Sequence, residues 1–110
     1  MLRHVLFYLL RTRDEKTASH RQTTLMTLLP QLPDGAITRD RLLSLAEMAE
    51  FYTVCELIYS ERRDWKNVIK SRLNNKQERQ EVFSLIDQLL ADKSLTQREQ
   101  MVISLIMFFL

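Results

Sequence analysis

At 110 residues the chain makes one domain at most. Folding would bury roughly two-thirds of its unfolded surface, enough for a small core without metal or disulfide. With 45% hydrophobic and 27% charged residues but one glycine and two prolines, the composition is that of a soluble, ordered chain with little turn punctuation, which nearly excludes all-β folds. A formal charge of +2 gives no strong field toward nucleic acid or anionic lipid.

In chain order, the first predicted helix covers about Leu2 to Arg11, with Leu2, Val5, Leu6 and Leu9 on one stripe. Its flanking charges imitate a targeting segment, but the apolar run from Val5 to Leu10 is short and no small-residue cleavage site follows, so it reads as a packed helix. The stretch "TRDEKTASH" breaks it. Ser19 with Gln22 has capping-box spacing and opens a segment through Leu25, Met26, Leu28 and Leu29, which Pro30 and the Pro33-Asp34-Gly35 turn close.

Thr38 caps the next predicted helix, whose stripe is Leu42, Leu45, Ala46 and Ala49. Phe51, Val54, Leu57 and Ile58 continue the pattern, in the same helix bent or in a fresh one. Asp64 is an N-cap for a helix bearing Trp65, Val68, Ile69 and Leu73, with Trp65 expected against Leu57 and Ile58. "NNKQE" ends that helix before Val82, Phe83, Leu85, Ile86, Leu89 and Leu90. Thr96 and Glu99 form the clearest capping box, ahead of an apolar end.

Three segments share an acidic-then-bulky start: Glu50-Phe51, Asp64-Trp65 and Glu81-Val82-Phe83. Their spacing is one helix plus one tight turn, as in an α-solenoid of helical hairpins, although a compact bundle with chance similarity gives the same periodicity.

No chemistry emerges from the inventory. His4 and His20 lie far from Cys55, no Cys or His pair has metal-ligand spacing, and phosphate-cradling loops need more than one glycine. Cys55, the only cysteine, allows no intrachain disulfide and reads as a buried thiol of a reducing compartment. No nucleophile, base and orienting group can be named together, so the chain is expected to be no enzyme and to need no cofactor or metal. The rival function is nucleic-acid binding. Arg62, Arg63, Lys66 and Lys70, with Arg72 and Lys76, form a basic stretch around a tight turn. Glu56, Glu61, Asp64, Glu78 and Glu81 interrupt it, which favours a solvated mixed-charge face over a phosphate-binding one. Phe51, Tyr52, Trp65 and Phe83 fall on apolar stripes and are expected to pack inward.

The stretch from Leu42 to Leu90 resembles the clathrin-heavy-chain-type repeat of vacuolar protein sorting subunits. The resemblance rests on Phe51-Tyr52 opening a helix, on the run Cys55-Glu56-Leu57-Ile58-Tyr59, and on the charged-aromatic turn Arg63-Asp64-Trp65. It implies an all-α solenoid segment of short antiparallel hairpins. It also implies a scaffold role in a cytoplasmic complex, peripheral on endosomal membrane, that tethers vesicles through other protein subunits and, in the whole protein, a Rab-type GTPase. Such subunits are far larger, so the chain reads as a piece of one: a single helical domain over 1–110, with N-terminal helices over 1–35 and repeat-like helices over 38–110. In this piece Met101, Ile106, Phe108, Phe109 and Leu110, at an end with only Ser104 as polar relief, are the expected interaction residues, through which the fragment is expected to self-associate.

Overall fold

The computed structural model describes residues 2–11, 14–33 and 35–110, with side chains from His4 onward. The described residues form seven α-helices and two short 3₁₀ turns, with no strand among them. The chain divides into two units, Met1–Cys55 and Glu56–Leu110.

In the first unit α1 (Leu2–Arg11) packs on α2 (Glu15–Leu28) and on α3 (Arg39–Ala49). α1 buries Leu6, Leu9 and Leu10, whereas Val5 is exposed, so its apolar face lies one residue further along than the predicted stripe; the side chain of Leu2 lies outside the described residues. α2 begins four residues before the predicted Ser19 cap. Asp14 takes the cap position, its carboxylate accepting from the Lys16 amide at 3.0 Å, so Ser19 sits inside the helix. Gln22 is used elsewhere: its Oε1 accepts the amide of Thr53 at 3.1 Å.

Arg21 is 2% exposed. Its guanidinium donates to the carbonyls of Leu9 (3.1 Å) and Asp14 (2.7 Å) and to the Thr17 hydroxyl (2.9 Å), and it lies over the Phe51 ring. These bonds tie the end of α1 to the start of α2. Pro30 sits in the 3₁₀ turn Leu29–Gln31 that closes α2, and Gly35 takes a φ of 84° in the following turn, of which Asp34 lies outside the described residues.

Thr38 caps α3 as expected, accepting from the Arg41 amide. The helix then stops and a fresh one, α4 (Tyr52–Glu61), begins. The stop is made by Glu50 at φ 60°: the Phe51 amide reaches the Ala46 carbonyl at 2.9 Å and the Glu50 amide that of Glu47 at 3.2 Å, a Schellman closure with glutamate where glycine is usual. α4 ends the same way. Arg63 has φ 56°, the Asp64 amide bonds to the Tyr59 carbonyl at 2.9 Å and the Arg63 amide to that of Ser60 at 3.1 Å. Both left-handed residues carry a steric cost of roughly 1–2 kcal/mol that glycine avoids.

In the second unit α5 (Trp65–Asn74), α6 (Val82–Ala91) and α7 (Gln97–Phe108) each pack on the other two. Their shared core is Ile69, Val82, Ile86, Leu95 and Ile103, flanked by Trp65, Leu73, Leu89, Leu90 and Ile106. Phe83, expected to pack inward, is exposed: one helical step of about 100° from Val82 carries it off the buried face. In each unit the leading helix touches the next and the next but one, α1 with α2 and α3 and α5 with α6 and α7.

Candidate interaction surface

α7 is started by a complete capping box. Thr96 Oγ1 accepts from the Glu99 amide and Glu99 Oε1 from the Thr96 amide, both at 3.1 Å. Beyond it the helix has no ionisable side chain from Gln100 to Leu110, and one neighbouring pair of helices covers only part of its circumference. Ile103 is fully buried and Ile106 half-buried against the core. Met101, Leu105 and Phe108 are 61%, 59% and 85% exposed, and Val102, Met107, Phe109 and Leu110 are exposed as well. The rings of Phe108 and Phe109 meet edge to face, their centroids 5.9 Å apart. On the outer side of α7 a groove of ≈ 570 Å³ runs between Leu90, Gln97, Gln100, Met101, Ser104, Leu105 and Phe108. Each large apolar side chain left in water forgoes about 1.5–3 kcal/mol of burial, so this face has the energetic means to hold a partner. Of the five residues expected at this end, Ile106 belongs to the core side, and Met101 and Phe108 line the groove.

The α4–α5 turn is pinned to the start of α7. Arg63 grips Glu99 with two bonds, Nε to Oε2 at 2.9 Å and Nη2 to Oε1 at 2.7 Å, and Nη2 also reaches the Ser94 carbonyl at 3.3 Å. The Trp65 indole N–H donates to Glu99 Oε2, and the Arg63 guanidinium lies over the indole, 5.7 Å from its centroid. These donors hold the Glu99 carboxyl down at about 2, Arg63 contributing most, then Trp65 and the Thr96 amide. Trp65 thus closes the turn, packed on the core of its own unit with its polar edge on Glu99. Sequence spacing held no sign of this, because the partners lie 34 and 36 residues apart.

The same geometry weakens the nucleic-acid reading. Arg63 is committed to Glu99. Arg72 is bidentate to Glu56, at 2.8 and 3.1 Å, with Glu78 and Glu81 each 3.6 Å away. Two of the arginines in the basic stretch are therefore paired with carboxylates, and Arg62, Lys66, Lys70 and Lys76 are exposed. Phosphate would have to displace good bidentate pairs.

Cys55 is buried, and burial, with Glu47 nearby, pushes its thiol up to about 12. Among the described residues no group of three or more His, Cys, Asp or Glu could hold a metal ion, and no helix is long and apolar enough to cross a membrane. The first unit has a groove of its own, ≈ 590 Å³, lined by Leu10, Leu45 and Met48 with Arg11, Asp40 and Arg41 among its polar groups.

No family model and no solved structure matches the chain. Over 87 residues it is 32% identical to the vacuolar protein sorting-associated protein 8 homologs of Mus musculus and of Homo sapiens. The matched stretch is 79% of this chain and 6% of each relative, so the chain spans a small fraction of the length of the curated proteins it matches. The similarity supports a relationship to protein 8 of the vacuolar protein sorting group, confined to one all-helical segment.

Proposed function

We propose that the chain is a non-catalytic scaffold segment of a vacuolar protein sorting subunit, of the subunit-eight type that belongs to the CORVET endosomal tethering complex. Its work is to hold a run of clathrin-repeat-like helical hairpins in shape and to offer helix faces to other subunits of that complex, in the cytoplasm and peripheral to the endosomal membrane. Contact with a Rab-type GTPase is proposed for the whole protein and is assigned to no residue of this segment. The observation that carries the reading is the 32% identity over 87 residues to the mammalian protein 8 homologs. It is supported by the packing of α1 on α2 and α3 and of α5 on α6 and α7.

The test is a chimera. The matching segment of the human relative is replaced by this chain and expressed in cells lacking that relative, with endosome recruitment and delivery of sorted cargo as readouts. Recruitment and delivery recovering to near the level of the unaltered relative is the expected result. A chimera of normal abundance and helicity that performs no better than a deletion of the segment would overturn the proposal. A salt series against duplex DNA and single-stranded RNA examines the rival, since phosphate contacts give a steep salt slope and a scaffold gives none.

A further inference from the structure

The outer face of α7 carries a seam. Gln97, Met101, Ser104 and Phe108 recur at spacings of four, three and four, so they fall on one stripe, and Leu105 stands beside it. The stripe points away from Ile103 and Ile106, which face the core, and it lines the groove described above. Ser104 is a small residue at its middle, with bulky Met101 three residues before and bulky Phe108 four residues after.

We propose that a second copy of this chain docks on this seam, α7 against α7, antiparallel about a two-fold axis near Ser104. Two features select a second copy over an unrelated partner. The stripe is complementary to itself. With the helices antiparallel and crossing at Ser104, Phe108 of each copy falls beside Met101 and the groove of the other, while the small serines let the backbones approach, so the same patch serves on both sides. Charge does not oppose the pairing, because no ionisable side chain lies between Gln100 and Leu110. The antiparallel sense also places the N-terminus of each helix beside the C-terminus of the other, where their dipoles attract.

Size sets the strength. With about 200 Å² for a large apolar side chain, the exposed fractions of Met101, Leu105 and Phe108 leave roughly 400 Å² per copy to be covered. That is the small end of specific interfaces, below about 1,200 Å² in total even with the groove rim, so the dimer is reversible and concentration-dependent. This pairing stands apart from the sorting role proposed above, and neither depends on the other.

Sedimentation equilibrium of the full chain over a concentration series tests it. The expected result is a monomer–dimer equilibrium that stops at twice the chain mass. Phe108→Glu should weaken association by at least about tenfold while leaving the circular dichroism unchanged, since Phe108 is 85% exposed. Phe109→Glu, off the stripe, should change it far less. Ser104→Cys adds a readout independent of stability. Facing thiols at the axis would pass two electrons and two protons to oxidised glutathione and link the copies, whereas Gln97→Cys, remote from its own mate, would not link; the native Cys55 is buried and does not compete. A strict monomer at the highest concentration, association as sensitive to Phe109→Glu as to Phe108→Glu, or linking by Gln97→Cys and not by Ser104→Cys would each overturn the proposal.

Discussion

Ile103 is the one buried side chain of α7, and it sits against Ile69, Val82, Ile86 and Leu95. Trimming it should therefore detach α7 in measured steps. Ile103→Val removes one carbon and should cost about 0.5–1.5 kcal/mol; Ile103→Ala removes three and should cost about 2–5. Transfer alone gives roughly 2.4 kcal/mol for three carbons at about 0.8 each, and the cavity left among four neighbours adds the rest. At roughly 0.05–0.15 kcal/mol per residue, the unit Glu56–Leu110 holds about 3–8 kcal/mol in all, so the alanine variant should sit near the edge of folding. Trp65, the only tryptophan, lies in that unit and reports its unfolding in urea by fluorescence. The chain is kept dilute enough to be monomeric, with Phe108→Ala as the exposed comparison, expected within about 0.5 kcal/mol of the parent. If both Ile103 variants also fall within that margin, or if Phe108→Ala costs as much as Ile103→Ala, α7 is not anchored as described.

Three other perturbations have definite outcomes. Glu99 is held at about 2, below its ordinary 4.5, so its contribution is complete above pH 4.5 and fades as pH falls toward 2. The difference in urea midpoint between the parent and Glu99→Gln should narrow over that interval and stay constant above it; a gap that widens on acidification would refute the assignment. Glu50→Gly relieves a left-handed glutamate and should raise stability by about 0.5–1 kcal/mol after the extra chain entropy of glycine is subtracted, read as a higher melting temperature. Cys55, its thiol pushed up to about 12, should react with a disulfide reagent at pH 8 only as fast as the protein opens, and at once in urea; fast labelling of the folded chain would contradict its burial.

Helix starts were the most legible part of the sequence. Thr38, Asp64 and Thr96 each cap where expected, because a cap is a contact between residues two or three apart. Ser19 failed because Asp14 offered an earlier oxygen, and Arg21, buried across the α1–α2 connection, fixed the start there with bonds to Leu9 and Asp14. Helix ends were harder to read. Glu50 and Arg63 adopt the conformation that sequence reading reserves for glycine, so neither residue type gave a stop signal: the end of α4 was bracketed only by the Asp64 cap that follows it, and whether α3 bent or broke before Phe51 stayed open. The apolar excess of α7 could be counted in advance, since nine large side chains cannot face one neighbour. Which of them face inward depended on α5 and α6, far away in sequence. The grip of Arg63 and Trp65 on Glu99 was beyond any spacing rule for the same reason.

Glu99 closes a local capping box and also receives Arg63 and Trp65 from the far side of its unit. The opening turn of a helix is ordinarily the part that frays first, and its amides trade hydrogen with solvent long before the rest of the fold lets go. Here the first turn cannot unwind without stripping the partners of an arginine and an indole. The protected amides of Glu99 and Gln100, bonded to the Thr96 hydroxyl and carbonyl, should therefore exchange on the clock of the whole unit, with the same denaturant dependence as the amides around Ile69 and Ile86. A side chain chosen for helix initiation has become the fastener that makes initiation and assembly a single event.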